Sequence, residues 1–447
     1  MNRRDFKKHL LKSLALPSLG QGPFLGSGLN LSLGLGLGMT LGTKSHYAWG
    51  AKAARVVIVG AGFGGATLAK YLRVLSEQQI QVTLIESEKT FISSPMSNLI
   101  LGGNSTLGQI EFSYDRLRSQ YGIEWISDWA TEIDFDKKRI HCRTQKNIPY
   151  DKLVLAPGMK LLNEDIEGLE EAKDRQQIFQ AWSGDREIEQ LRSQIAAMQN
   201  GETFVLSIPE SPFKCPPGPY ERASQVANYF KKFKPKCKVL ILDANQDVLS
   251  NSASFKRFWA ERYPSIIEYR PQHKVTSVNA TQKTIGFEIQ DDLSFNVANI
   301  LPPMRAGDIA HKNGLTNINN KWCGVAFNNF ESQRAKDVYL IGDAIQGAPL
   351  MPKSAHMANA QAKILAASLS AEILDLSPDP SPYLTNTCYS FLDDQNAVHI
   401  ASVHQYDERE KTYKVLAQSS GVSLQPSERE GKEAHSWAKH LWADILS

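Results

Sequence analysis

An α/β fold is what this sequence predicts, on three observations. Short β-branched runs alternate with helix-like segments along most of the chain. The first of these runs, Arg55–Val59, passes directly into Gly60-Ala-Gly62-Phe-Gly-Gly65. A late apolar run, Val338-Tyr-Leu-Ile341, passes into Gly342-Asp343-Ala344. Two sets of strand–helix units closed by a late return segment predict two nested Rossmann-like, dinucleotide-binding-type domains, followed by a C-terminal α+β interface segment.

The first 52 residues read as an address rather than as fold. A basic start (Arg3, Arg4, Lys7, Lys8) is followed by an apolar, Gly-rich stretch such as Leu31–Leu41, and then by small residues around Ala48–Ala54. That order is the one of an export signal. Arg3-Arg4-Asp5-Phe6-Lys7-Lys8 resembles a twin-arginine signal, which predicts a protein exported already folded around its cofactor to the periplasm. A membrane anchor fits less well, because no run of about 18 residues is free of Gly and polar breaks. Seven Lys or Arg against Asp5 give this stretch +6, so the whole-chain charge of +3 leaves −3 for the remainder. So weak a charge argues against a nucleic-acid partner. With 42% hydrophobic and 22% charged residues, disordered, collagen-like and small disulfide-scaffold classes are excluded. No integral membrane segment is expected after signal removal.

After the signal, strands are expected at Arg55–Val59, Val82–Glu86 and Lys152–Ala156, with a helix from Thr67 to Leu75. In the glycine motif, Gly60 permits a tight turn, Gly62 lets backbone approach a pyrophosphate, and Gly65 allows close helix–strand contact. The helix N-terminus favours the anionic phosphates. Glu86 closes the next strand, placed to accept a ribose hydroxyl. Strand, glycines, helix and acid in the right order predict a bound dinucleotide. Gly342-Asp343 looks like the late motif of two-domain flavoproteins, whose Asp holds the ribityl chain of FAD. Ala156-Pro157-Gly158 looks like the small-residue crossover of the same proteins. FAD is therefore the expected cofactor at this first site.

The second unit opens with a strand at Thr203–Ile208, a helix around Glu221–Phe233 and a strand at Lys238–Leu242. Its connecting loop carries Lys214-Cys215-Pro216-Pro217-Gly218-Pro219 where a phosphate loop would need small residues with free N–H groups. Proline removes those donors, so nicotinamide binding is expected to be lost here. Cys215 becomes a redox candidate instead, against the ordinary reading of a lone Cys as a small buried hydrophobe.

Cys215-Pro-Pro-Gly-Pro-Tyr-Glu221-Arg-Ala-Ser resembles a signature of the flavoprotein subunit of flavocytochrome c sulfide dehydrogenase. So do Asn386-Thr-Cys388-Tyr-Ser390 and Gly342-Asp-Ala followed by Met351-Pro352-Lys353-Ser354. The similarity runs from about residue 54 to the C-terminus. It implies FAD, sulfide as substrate, a c-type cytochrome subunit as partner, and a redox disulfide beside the flavin that maps onto Cys215 and Cys388. It also implies Glu221 as a proton acceptor near the flavin. Pro352 and Lys353 fall in the cofactor motif, with Lys353 expected to bring positive charge to the flavin ring. The family's covalent flavin attachment uses a Cys where this chain has Ser94, so noncovalent FAD is expected. The corresponding domains are the signal over 1–52, the FAD-binding domain over 53–165 and 301–380, the second dinucleotide-type domain over 166–300, and the C-terminal domain of this family over 381–447.

Five cysteines leave at least one unpaired. Cys142 and Cys237 lie in or beside strand-like runs and read as packing residues. No Cys-x-x-Cys-His occurs, so any haem must sit on another polypeptide, and no metal-ligand spacing is found. The implied chemistry is attack of HS⁻ on one sulfur of the Cys215–Cys388 disulfide, giving a persulfide and a thiolate, with electrons passing by way of FAD to the cytochrome. The C-terminal Ser436–Leu446 places apolar residues at helical spacing and reads as packing or partner contact. Competing readings are a sulfide:quinone-type oxidoreductase, a type-II NADH dehydrogenase, and a non-enzymatic flavoprotein helper of a sulfur-oxidation system.

Overall fold

Residues 54–144 and 147–447 are described by a computed structural model. The export signal expected over 1–52 lies outside the described residues. Strand β1 (Arg55–Val59) has buried side chains from Val56 onward, because both faces of its sheet are covered. It runs parallel to β2 (Gln81–Ile85), which in turn pairs with β3 (Glu124–Ile126). On the other side β1 pairs with β4 (Lys152–Leu155). Helix α1 (Phe63–Leu75) begins within the glycine motif, about one turn ahead of the sequence expectation. Gly64 and Gly65 are poor helix interior residues, but here they form the first turn, where close approach matters more than propensity.

The second unit has four parallel strands: β5 (Thr203–Ile208), β6 (Lys238–Asp243), β7 (Ile267–Pro271) and β8 (Val297–Ile300), in the order β7-β6-β5-β8. Helix α2 (Gly218–Phe233) follows β5 and is buried continuously from Gly218 to Phe230. Pro219 sits in its first turn, where a missing N–H costs nothing. The two chain crossings between units lie side by side: Met159–Leu161 pairs antiparallel with Met304–Ala306.

The return strand β9 (Val338–Leu340) pairs parallel with β4 and completes a seven-stranded sheet, whose far edge is two short strands at Val325–Ala326 and Glu331–Ser332. Helix α3 (Ala355–Ile373) is capped by Ser354, whose hydroxyl accepts the Met357 N–H at 3.0 Å. The C-terminal part adds antiparallel strands β10 (Tyr383–Phe391), β11 (Ala397–Asp407) and β12 (Thr412–Val415), then helix α4 (Glu428–Leu446). This is the nested α/β plan with a C-terminal α+β segment that the sequence predicts.

Helix α4 is an integral part of the fold. Ala434, Ala438, Leu441 and Ile445 are buried on one face. Its Asp444 accepts from Tyr71 of α1 at 2.5 Å and from Asn359 of α3 at 2.9 Å. Trp442 donates to Ser93 at 2.9 Å. Among the described residues no helix is long and apolar enough to cross a membrane.

Candidate active site

A cavity of about 690 Å³ runs along the C-terminal ends of β1, β2 and β4 into the space between the second unit and the C-terminal sheet. That is the range of small-molecule and cofactor sites, at the position where parallel sheets bind ligands. At one end stands the glycine motif. Gly60 has φ +93°, and a Cβ there would lie 2.4 Å from the Ala156 carbonyl oxygen. A Cβ on Gly65 would lie 1.8 Å from the Gly60 carbonyl oxygen, so only glycine allows this helix–strand contact. Gly62 has no atom within 4 Å of its would-be Cβ, so its backbone is bared toward the cavity. Gly65 serves packing and does not line the cavity, whereas Gly60, Gly62, Ala156 and Gly158 do. Glu86 lines it too, with one carboxylate oxygen accepting the Ala61 N–H at 2.7 Å.

Gly342 (φ +76°) turns the chain after β9 and presents Asp343 to the cavity. The Asp343 carboxyl is buried, its Oδ1 has no hydrogen-bond partner, and burial pushes its pKa up. A buried polar atom without a partner is costly and calls for a bound group to satisfy it. Bare backbone at Gly62, the free Asp343 oxygen and the acid Glu86 together fit a dinucleotide with a hydroxylated chain, as FAD has.

The Cys215 end is built from four distant segments. Cys215 sits at φ +55° in the loop before α2, its N–H donating to the Lys353 carbonyl at 2.8 Å. The Gly218 N–H is directed back to the Cys215 carbonyl at 2.8 Å, so the donors of this loop are used internally. A Cβ on Gly218 would meet Trp182 at 2.8 Å and the Cys215 sulfur at 3.0 Å. Cys388 projects from β10 into the same cavity, its sulfur 3.7 Å from both polar atoms of the Asn386 amide. Asn386 in turn accepts from the α3 cap Ser354 at 2.5 Å. The two sulfurs are not bonded to each other in this structure, where the resemblance implies a disulfide. Burial pushes both thiols up, and the Cys388 sulfur adds to the rise at Cys215. Cys142, Cys237 and Cys323 are buried elsewhere as packing residues.

Glu221, on the first turns of α2, ties three of these segments together. One carboxyl oxygen accepts from Asn98 at 2.8 Å, the other from the Phe391 N–H at the end of β10 at 2.9 Å. Burial raises its pKa to about 7, against the opposing pull of those two donors and of Arg222. Arg222, 1% exposed, fixes Asn98 through Nε at 3.0 Å and lies over the Trp182 ring at 4.6 Å.

Two of the expected cofactor residues stand behind the cavity wall. Lys353 does not line the cavity: its ammonium donates to the carbonyls of Asp343 at 2.9 Å and Ile345 at 2.6 Å and lies 3.7 Å from the Trp322 ring. Burial lowers its pKa to about 8. Pro352 lines with it a small recess that shares Gly342, Asp343 and Ser354 with the cavity. Lys214, next to Cys215 in the chain, does line the cavity, and its ammonium donates to Ser94 at 2.9 Å and to the Trp182 carbonyl at 3.3 Å. Lys214, Asn98, Arg222 and the C-terminal Trp437 are site residues missed in the sequence. The first three stand within or beside quoted motifs, which was the available signal. Among the described residues no cluster of His, Cys, Asp and Glu suits a metal.

Comparison with known proteins gives three family matches. Residues 54–194 match the pyridine nucleotide-disulphide oxidoreductase family, residues 188–302 the central part of the sulfide dehydrogenase [flavocytochrome c] flavoprotein chain, and residues 380–446 the flavin-binding part of flavocytochrome c sulphide dehydrogenase. The sulfide dehydrogenase [flavocytochrome c] flavoprotein chain of Chlorobaculum thiosulfatiphilum is 54% identical over 46 residues, 10% of this chain and 94% of that sequence. The mitochondrial sulfide:quinone oxidoreductase of mouse is 25% identical over 316 residues, 67% of this chain; the match spans 66% of that relative's length. The crystal structure of the sulfide:quinone oxidoreductase of Aquifex aeolicus shares the fold, with a TM-score of 0.71 and 20% identity over 88% of this chain and 92% of that one. FAD is thus the cofactor of this cavity, and the chain belongs to the family of flavocytochrome c sulfide dehydrogenase flavoprotein chains.

Proposed function

We propose that this protein oxidises sulfide through the Cys215/Cys388 pair and passes the electrons to a c-type cytochrome, in the periplasm after twin-arginine export. The observation that carries the reading is the convergence of both cysteines and Glu221 on the cavity whose other end holds the glycine motif and Asp343. In the oxidised pair, the sulfur of HS⁻ bonds to one cysteine sulfur as the S–S bond breaks. The displaced sulfur keeps the bonding pair as a thiolate, and the attacked one carries the persulfide. Glu221, with a pKa about 7, is suited to take up or release the proton that accompanies this change. Asn98 and Arg222 hold that carboxyl in place. Trp182, Trp437 and Tyr389 line the cavity around the pair and exclude water. FAD, when bound, supplies an acceptor for electron pairs that can donate singly to a haem. Ser94 has no thiol to form a thioether, so the flavin is held noncovalently; acid precipitation leaving a yellow pellet would refute this.

Anaerobic titration with sulfide, following the flavin spectrum, tests the reading. Cys388→Ser is expected to slow bleaching by at least about 100-fold, since it removes half of the exchanging pair. Bleaching at the wild-type rate would sink the disulfide chemistry. The likeness to sulfide:quinone oxidoreductases supports a second reading, with a quinone as acceptor. Turnover with oxidised cytochrome c and none with a soluble quinone favours the first; the reverse favours the second.

A further inference from the structure

The cations that line the cavity differ in how they are partnered. Lys173 pairs with Glu187 at 2.7 Å and Lys160 with Asp308 at 3.7 Å. Arg222 directs its N–H groups to Asn98, Asn299 and the carbonyls of Gln180 and Ala181. Lys214 has only the two neutral oxygens of Ser94 and Trp182, and among the described residues no carboxylate is in ion-pair contact with it. An ammonium has three donors, so one remains for a ligand. Gly184 (φ +78°) leaves room for the Ser94 hydroxyl, since a Cβ there would sit 2.9 Å from it. Asp185 and Asp343 line the same cavity and interact electrostatically with Lys214 without ion-pair contact, and burial pushes both carboxyls up. The neighbour in sequence and in the cavity is Cys215, and the Lys214 charge offsets part of the burial that pushes this thiol up.

We propose that Lys214 is a specificity-determining residue of this site, holding a small sulfur-centred monoanion, hydrosulfide in the reading above, against Cys215 in preference to neutral molecules of the same size. The proposal rests on Cys215 as the sulfur that the substrate meets. A cation whose close partners are all neutral oxygens gains from an incoming anion, which supplies the missing contact partner. Ser94 contributes by fixing the ammonium.

Charge-selective alkylation tests this without turnover. The full-length, flavin-loaded protein is kept reduced with a phosphine under nitrogen and treated with iodoacetate, an anion, or with iodoacetamide, its neutral analogue. Mass spectrometry of the Cys215 peptide gives both rates. The iodoacetate-to-iodoacetamide ratio is expected to fall about tenfold in Lys214→Met and to be largely kept in Lys214→Arg. A mere change in thiol acidity moves both rates together and leaves the ratio fixed, so an unchanged ratio in Lys214→Met overturns the proposal. If Lys214→Met fails to fold, Lys214→Gln, which keeps hydrogen-bond donors without the charge, carries the same comparison. Normal sulfide oxidation with a flat ratio overturns the role of Lys214 alone. A ratio lost in Lys214→Met, with no sulfide-dependent bleaching in the wild type, supports an anion site and overturns hydrosulfide as its occupant.

Discussion

Replacing Glu221 by Gln isolates the energetic effect of one buried carboxyl. Glu221 is 8% exposed, and burial raises its pKa from 4.5 to about 7. Between these values the unfolded chain has released the proton and the folded protein still holds it. The folded state therefore binds more protons across this window, and stability falls as pH rises through it. At 1.36 kcal/mol per pKa unit, the loss is about 3 kcal/mol, complete above about pH 8. Gln does not titrate. It also faces two donors, the Asn98 amide and the Phe391 N–H, and can accept with only one atom. That mismatch costs about 1–3 kcal/mol at every pH. The slope, not the offset, is diagnostic. Denaturant unfolding of wild type and Glu221→Gln at pH 4, 5, 6, 7, 8 and 9 is expected to give a stability difference that favours the wild type at low pH and shrinks by about 3 kcal/mol toward pH 8. A difference that stays constant over this range would refute the perturbed carboxyl, and with it the argument for Glu221 as a proton carrier near neutrality.

Two glycines of one motif are expected to fail differently. Gly65→Ala puts a Cβ 1.8 Å from the Gly60 carbonyl oxygen and should cost about 3 kcal/mol of stability along with the flavin. Gly62→Ala meets no atom and should leave unfolding of the flavin-free protein within about 0.5 kcal/mol of wild type. Its flavin retention on dialysis should still drop, and equal losses of stability in the two variants would contradict the separation of roles. Asp343→Ala removes the unpartnered buried oxygen and should weaken FAD binding about 10- to 100-fold, as measured by fluorescence titration. An unchanged affinity would remove Asp343 from the cofactor site.

The parts legible in the sequence were those where the backbone makes a local demand. Gly65 is forced by a contact within one strand–turn–helix unit and Gly60 by its own turn conformation at φ +93°, so their spacing announced the site, although the Ala156 carbonyl that also crowds Gly60 comes from β4. Thr203–Ile208 was readable as a strand to the residue, since a strand buried on both faces is a continuous apolar run. Which of Lys353 and Lys214 lines the large cavity was not legible. Both are lysines beside a motif. Which ammonium faces the cavity depends on whether carbonyls from the turn after Gly342 reach it first.

The sequence by itself determined the α/β plan and the glycine loop after β1, and its resemblance to the family pointed to Cys215 and Cys388. Tertiary structure alone decided how these act together. It brought Cys388 on a C-terminal strand to Cys215 on a loop of the second unit, and it tied both segments through the carboxyl of Glu221 to Asn98 and Phe391. It also removed that carboxyl from water, which sets its proton affinity. Local pattern encodes what a residue's immediate backbone requires. Burial and long-range hydrogen bonds belong to pairs of segments far apart in the chain, and they exist only once the whole is packed.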